Sequence, residues 1–259
     1  MVKAARAAGR GLARDFGEVE NLQVSKKGPG DFVTAADHRS EEVLFQELSR
    51  ARPGYGFVFE ERGIVQGTDK TNRFIVDPLD GTLNFMHGIP HFAISIGLER
   101  EGRLHAGVVY NPISGDIYWG ETGQGSWLEN WRLRVATRIK LSQSVLATGT
   151  PFIGHAEERH QQFWAELAHL TQETTGIRRF GSAALDLAYV AAGKFDGFWE
   201  RNLKPWDIAA GIVLVREAGG VVQEIDGGNV LETGNILASN QSLLPKIHDK
   251  LKAAQKSLR

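Results

Sequence analysis

A short apolar run that ends in two carboxylates constrains this chain more than any other segment. Residues 74–82 read Phe-Ile-Val-Asp-Pro-Leu-Asp-Gly-Thr, which predicts a strand, a turn and then the start of a helix. Asp77 and Asp80 supply the hard oxygen ligands that Mg²⁺ prefers. Gly81 lets backbone N–H groups approach an anion, and Thr82 stands where a helix N-terminus would attract phosphate. The segment therefore predicts metal-assisted phosphate-ester chemistry.

Composition narrows the class of protein and the metal. The 259 residues are 42% hydrophobic and 24% charged, which is enough for one large domain or two tightly joined lobes. A formal net charge of −1 gives no footprint for direct nucleic-acid or membrane binding. Because the sequence has no cysteine, a metal must be held by oxygen or imidazole, which favours Mg²⁺ or Mn²⁺.

The sequence also bears on location. No apolar run approaches the roughly 20 residues of a membrane-spanning helix. The basic, alanine-rich N-terminus lacks the apolar centre of a signal peptide. We therefore expect a cytoplasmic protein.

Hydrophobic periodicity predicts a β-rich first half. Its segments are a helix at 2–15, a short strand at 20–25, a turn at 31–34, a helix at 37–49 and strands at 55–59 and 74–76. Residues 92–119 hold three apolar runs separated by turn signals, which predicts an antiparallel meander.

The second half alternates between helix and strand. Predicted helices lie at 156–174, 183–192, 207–218 and 243–257, and strands near 177–180, 195–199 and 221–224. An antiparallel α+β lobe of about residues 1–140 joined to an α/β lobe of about 141–259 implies a single layered sandwich with its site between the lobes.

Acidic residues form four clusters along the chain. They are Asp31 with Asp37, Glu60 with Glu61, Asp77 with Asp80, and Asp207. Phosphate-monoester hydrolysis needs accelerations of up to about 10²¹, whereas a lone general base supplies about 10²–10⁴. Metal ions shared between carboxylates can close this gap.

Each cluster also has a purely structural interpretation. The Asp-Pro and Asp-Gly pairs are common in turns, Glu60 with Glu61 is typical of a solvated surface, and Asp207 is a plausible helix cap. The functional interpretation depends on the clusters occurring together.

Taken together, these segments resemble the inositol monophosphatase family of Mg²⁺-dependent, lithium-sensitive phosphatases. The matching segments, in the order of the family, are Asp31-Phe-Val-Thr-Ala-Ala-Asp37, Phe59-Glu-Glu61, Asp77-Pro-Leu-Asp-Gly-Thr-Leu-Asn-Phe85, Gly181-Ser-Ala183 and Glu200 through Asp207, followed by Ala209 to Gly220. The resemblance implies a layered αβαβα sandwich and a homodimer. One departure is Phe59, where the family often has glycine.

The resemblance also implies a role for each site residue. The metal ligands for two or three Mg²⁺ ions would be Glu60, Asp77, the Leu79 carbonyl, Asp80 and Asp207. Asp37 would act through water on a third metal that Glu60 shares, and Thr82 with Glu60 would orient the attacking water. The groups that hold the substrate would be Asp80, Asp207, the backbone N–H groups of Gly81 and Thr82 for phosphate, and Ala183 and Glu200 for the alcohol.

The resulting hypothesis is hydrolysis of inositol 1-phosphate by direct attack of a metal-activated water. Glu200 lies seven residues before Asp207, the spacing that the resemblance associates with a carboxylate bonded to ring hydroxyls. Fructose 1,6-bisphosphate, histidinol phosphate and a 3′,5′-bisphosphate nucleotide are alternative substrates, although Leu83-Asn-Phe85 departs from the Lys-Glu-Phe common in the nucleotidase branch. A regulatory binding protein in RNA processing or transcription is the alternative from another class.

Overall fold

Helices are interspersed with groups of strands along this chain. The computed structural model of the protein describes residues 1–18, 24–28 and 31–258. Within them the helices are α1 Val2–Phe16, α2 Ala35–Ala51, α3 Thr82–Met86, α4 Glu157–Thr171, α5 Ala183–Ala191, α6 Pro205–Glu217, α7 Val230–Thr233 and α8 Leu244–Ser257. The strands are β1 Val24–Gly28, β2 Asp31–Thr34, β3 Gly56–Phe59, β4 Gly63–Val65, β5 Asn72–Asp80, β6 Ala93–Arg100, β7 Arg103–Tyr110, β8 Ile117–Glu121, β9 Gly125–Leu128, β10 Trp131–Arg132, β11 Val145–Thr148, β12 Gly176–Arg178, β13 Gly197–Glu200, β14 Val221–Glu224 and β15 Ile236–Ser239.

Two large sheets carry the fold. The first has the strand order β10-β9-β8-β7-β6-β5-β3-β4, and only its β3–β5 pair is parallel. The second has the order β12-β11-β13-β15-β14, with β11 parallel to both of its neighbours. The predicted meander is the β6–β7–β8 part of the first sheet.

Three pairs of helices separate and cover these sheets. Helices α1 and α2 pack together and against β5–β7, while α4 and α8 pack together beside β15. Helices α5 and α6 lie between the sheets, since α6 contacts β5–β9 on one side and β14 and β15 on the other. The predicted αβαβα sandwich is confirmed.

The sequence of α6 explains why it takes the central position. Its residues from Ile208 to Val215 are all buried, and a helix that is apolar all round must be enclosed. Pro205 begins the helix, where its missing N–H costs nothing.

Glycines let α6 approach the first sheet closely. A Cβ at Gly107 in β7 would lie 2.5 Å from the Ala210 carbonyl oxygen of α6. A backbone oxygen cannot turn aside as a flexible side chain can, so a side chain there must push the helix away from the sheet.

We expect Gly107→Ala to lower the free energy of unfolding by about 1–3 kcal/mol, the range for overpacking a core. Gly120→Ala in β8 is the matched control, because its nearest contacts would be at 3.4 Å. Urea denaturation of both variants measures the difference. Equal losses would contradict this account of α6 packing.

One predicted element is wrong, and others were missed. Residues 31–34 form β2, paired with β1 as a hairpin, because ladder hydrogen bonds override local turn propensity. The predicted strand at 20–25 lies mostly outside the described residues. Periodicity also missed the short strands β4, β9, β10, β11 and β15, which are too brief to show a period.

Helix α2 begins two residues before its predicted start at residue 37, and a local cap explains where it begins. The Thr34 Oγ1 accepts from the Ala36 N–H at 3.1 Å, and the Asp37 carboxylate accepts from the Thr34 N–H at 2.9 Å. This reciprocal capping begins the helix at Ala35. Over the described part of the chain, none of the helices is both long and apolar enough to cross a bilayer.

Candidate active site

A cleft of about 740 Å³ collects nearly all of the predicted site residues. It is lined by residues that follow β3, β5, β11 and β13 and by the first turns of α5 and α6. The predicted residues in its wall are Glu60, Asp77, Leu79, Asp80, Gly81, Thr82, Ala183, Glu200 and Asp207. Asp37 does not line the cleft.

An irregularity at the end of β5 places Asp77 and Asp80. Asp77 pairs with Ser95 and Asp80 with Ala93, so three steps along β5 oppose two steps along β6. Such a bulge bends the strand, and Pro78 suits it because proline donates no ladder hydrogen bond. Gly81 follows at φ 99°, a left-handed conformation that favours glycine.

The carboxylates of the cleft repel one another. Asp77 is only 2% exposed, and burial, followed by the charges of Glu60, Asp80 and Asp207, raises its pKa well above the usual range. Burial and the charge of Asp80 likewise raise the pKa of Asp207. Burial raises the pKa of Asp80 to about 6, although hydrogen bonds partly oppose it.

Protein donors fix one oxygen of each of the three aspartates. Asp77 Oδ1 accepts from the Leu79 N–H at 2.9 Å. Asp80 Oδ2 accepts from the Ser182 Oγ at 2.6 Å and the Ala184 N–H at 2.8 Å. The Lys204 N–H donates to Asp207 Oδ2 at 2.7 Å. The side chains are therefore held from behind, which orients the remaining carboxylate oxygens.

This donor set fits a hard divalent cation. Carboxylate and carbonyl oxygens suit Mg²⁺, and a cation would compensate the repulsion that raises the pKa values. In residues 1–18, 24–28 and 31–258, no three acidic or imidazole side chains lie close enough together to hold a metal ion by themselves. Such an open arrangement is compatible with Mg²⁺, which usually keeps several waters and few protein ligands.

Asp37 lies behind the cleft and contacts it through Thr82. It is fully buried, and its Oδ1 lies 3.1 Å from Thr82 Oγ1, which is also 3.1 Å from the Leu79 carbonyl oxygen. The hydroxyl has one proton and donates to one of them at a time. Burial raises the pKa of Asp37 to about 6 against the opposing hydrogen bonds from Thr34.

Glu200 lies in another part of the same wall. Burial and the charge of Asp80 raise its pKa to about 8, while the Arg179 guanidinium and the Gly149 N–H favour its charged form. Asp186, one helical turn beyond Ala183, is only 1% exposed. Its Oδ1 has no hydrogen-bond partner among the described residues.

Sequence reasoning missed several residues around the cleft. They are Gly149, Arg179, Ser182, Asp186 and Arg201. Ser182 offered a signal, since it precedes an apolar helix as a capping residue would. The other four residues carried no signal in the sequence, because the groups that they contact are distant along the chain.

Phe59, the departure from the family pattern, is a core residue. It is fully buried and stacks on Phe57 with ring centroids 5.1 Å apart. Phe45 of α2 contacts the same ring at 6.1 Å. Glu60 therefore follows a residue anchored in the core.

The layered fold and the carboxylates of the cleft fit one class of protein, the phosphomonoester hydrolases. Comparison with known proteins is more specific: the profile of the inositol monophosphatase family matches residues 1–257. The chain belongs to the inositol monophosphatase family.

Individual relatives agree with this assignment. The chain is 58% identical over 258 residues to an inositol-1-monophosphatase of Caulobacter vibrioides, covering 98% of this chain and 100% of that one. It is 42% identical to the Nus factor SuhB of Escherichia coli K12, covering 98% and 97%. A crystal structure of the extragenic suppressor protein suhB from Bartonella henselae superposes with a TM-score of 0.94 at 52% identity, covering 97% and 96%.

Proposed function

We propose that this protein hydrolyses inositol 1-phosphate to inositol and phosphate with two or three Mg²⁺ ions. The observation that carries the proposal is that carboxylates from three separate segments, Glu60, Asp77 with Asp80, and Asp207, line one cleft with Glu200. The 58% identical relative that is named an inositol-1-monophosphatase supports this choice of substrate.

The ligands would be those predicted from the sequence: Glu60, Asp77, the Leu79 carbonyl, Asp80 and Asp207. Bound Mg²⁺ would lower the pKa of a water and neutralise charge on the phosphoryl oxygens. The backbone N–H groups of Gly81 and Thr82 would hold phosphate.

The Thr82 hydroxyl would orient the attacking water together with Glu60. Asp37, 3.1 Å behind that hydroxyl, would accept its proton in a hydrogen bond and leave the Thr82 lone pairs for the water. Ala183 and Glu200 would contact the alcohol, and Glu200 would bond the ring hydroxyls.

Phosphate release from a panel of substrates tests the proposal. The panel contains inositol 1-phosphate, fructose 1,6-bisphosphate, histidinol phosphate and adenosine 3′,5′-bisphosphate, each with Mg²⁺ and with EDTA. We expect Mg²⁺-dependent release, fastest from inositol 1-phosphate. Faster Mg²⁺-dependent release from another member of the panel would refute inositol 1-phosphate as the substrate but would leave the proposed metal chemistry in place.

Glu200→Ala tests the recognition of the alcohol. We expect kcat/KM for inositol 1-phosphate to fall about 10–100-fold, the equivalent of one hydrogen bond to a charged group. Hydrolysis of p-nitrophenyl phosphate, which has no ring hydroxyls, measures general damage to the site. Glu158→Ala, at an exposed position on α4, is the control. Equal losses on both substrates would refute the role of Glu200.

A regulatory role is a second candidate, favoured by the 42% identical relative that is named a Nus factor. The net charge of −1 favours a protein partner over direct RNA binding. Affinity capture with wild type and Asp77→Asn tests it. Capture of transcription proteins by the Asp77→Asn variant would support a binding role that is separate from catalysis. Capture of no transcription protein by either wild type or the variant would oppose it.

Assembly and location also belong to the proposal. The exposed side chains of Phe152, Ile153 and Trp164 are apolar surface that a homodimer could bury. Sedimentation of the purified protein measures this. The single domain with lobes of about 1–140 and 141–259 and the cytoplasmic location stay predictions.

A further inference from the structure

The end of β13 brings Glu200 beside a glycine of the neighbouring strand. In the parallel pairing of β11 with β13, Thr148 lies opposite Trp199. Gly149 and Glu200 are the next residues of the two segments, so they emerge side by side at the carboxyl ends of the strands. Both line the cleft.

The carboxyl of Glu200 occupies the space that a side chain at residue 149 would need. A Cβ built on Gly149 would lie 1.8 Å from Oε1 and 2.3 Å from Oε2 of Glu200. Non-bonded carbon and oxygen atoms cannot approach that closely, since carbon contacts are optimal near 3.5–4.0 Å. The Gly149 N–H also favours the charged form of this carboxylate and so lowers its pKa.

The need for glycine here concerns space and not backbone conformation. Gly149 is not among the glycines with positive φ, so an L-residue could adopt its backbone without strain. A substitution would therefore act through the contact with Glu200.

The strand that carries Glu200 cannot easily move aside. The residues on either side of it are both anchored to buried Glu166 of α4: Trp199 Nε1 donates to Oε2 at 3.2 Å, and Arg201 Nε donates to Oε1 at 2.7 Å. Arg201 also pairs with Asp226 at 2.5 Å. Because a buried ion pair is costly to break, a new Cβ at residue 149 would displace the Glu200 side chain before it displaced β13.

We propose that Gly149 is a specificity-positioning residue, whose missing side chain lets the Glu200 carboxyl fold onto the backbone of residue 149 and so places the acceptor for the hydroxyls of a polyol phosphate. The proposal rests on the role given to Glu200 under the proposed function. It adds that the size of residue 149 controls the preference for polyol over simple phosphomonoesters.

A cycle of Gly149→Ala, Glu200→Ala and the double variant tests this proposal. The readout is the ratio of kcat/KM for inositol 1-phosphate to that for p-nitrophenyl phosphate, so that general damage cancels. We expect Gly149→Ala to lower the ratio about 10–100-fold, since displacing a positioned group by about 1 Å can cost 10²-fold. In the Glu200→Ala background the same change should have no further effect.

A control and a rescue variant sharpen the cycle. Gly11→Ala is the control, because a Cβ there meets nothing within 4 Å, and its ratio should equal that of wild type. Adding Glu200→Asp, which is one methylene shorter, to Gly149→Ala should recover part of the ratio by relieving the clash.

The outcomes separate this proposal from the one on which it rests. An unchanged ratio in Gly149→Ala, or independent losses in the double variant, would overturn the role of Gly149 while Glu200 kept its own. An unchanged ratio in Glu200→Ala would overturn both. Should Gly149→Ala fail to fold, the double variant decides: restored folding supports the clash with Glu200, and failure to fold refutes it.

Discussion

Asp77→Asn is expected to lower kcat for phosphate release by at least about 10³-fold, which corresponds to about 4 kcal/mol of transition-state stabilisation. Asp77 is 2% exposed, and the charges of Glu60, Asp80 and Asp207 act on it together. It is therefore the carboxylate best placed to be shared between metal ions, and an amide would supply no charge to hold them.

The same variant should be more stable than wild type without metal. Burial and neighbouring charges raise the pKa of Asp77, so its ionised form opposes folding, and asparagine removes that cost. We expect a higher Tm in EDTA and a smaller rise of Tm on addition of Mg²⁺. A lower rate together with a higher Tm in EDTA would indicate a lost metal ligand. A damaged fold would instead lower both the activity and the Tm.

Asp249→Asn is the matched control, because Asp249 is exposed on α8. It should leave the rate of phosphate release and the response to Mg²⁺ unchanged. Near-normal turnover of Asp77→Asn would refute the assignment of Asp77 as a metal ligand.

Removal of divalent cations is expected to abolish phosphate release and to destabilise the protein more at high pH than at low pH. Burial raises the pKa of both Asp37 and Asp80 from 3.8 to about 6. Between pH 4 and 6 the folded state then binds more protons than the unfolded state, so the free energy of unfolding falls as pH rises. The raised pKa values of Asp77 and Asp207 extend this fall to higher pH.

Bound Mg²⁺ should reverse the loss, because its ligands bind as deprotonated groups. At 100 times the dissociation constant, ligand binding contributes about 2.7 kcal/mol, or about 5–10 °C of Tm for a chain of this size. Differential scanning fluorimetry at pH 5 and pH 8, with Mg²⁺ and with EDTA, measures the effect. If Mg²⁺ raised the Tm more at pH 5 than at pH 8, the assignment of these aspartates as groups that lose their protons on binding Mg²⁺ would be contradicted.

The sequence by itself determined the elements whose signals are local. The strand at 74–76, the turn and the start of the next helix were predicted from a short apolar run with proline and glycine at fixed places, whereas the bulge in β5 was seen only in the structure. Thr34 and Asp37 lie three residues apart, the spacing of a capping box, so the cap of α2 is local in the sequence. The helix over 207–218 was predicted from its hydrophobic pattern, and the family, the layered fold and the phosphomonoesterase class are confirmed. The individual roles of the site residues stay predictions.

Tertiary structure decided which residues support one another across long stretches of chain. Ser182 holds Asp80 from 102 residues away, Asp37 lies behind Thr82 from 45 residues away, and Gly149 makes room for Glu200. No local period encodes such pairs, because they arise only when the strand ends of two sheets meet at one cleft. The sequence therefore determined the family and the candidate groups, because their signals are local, and packing decided their partners, their burial and hence their pKa values.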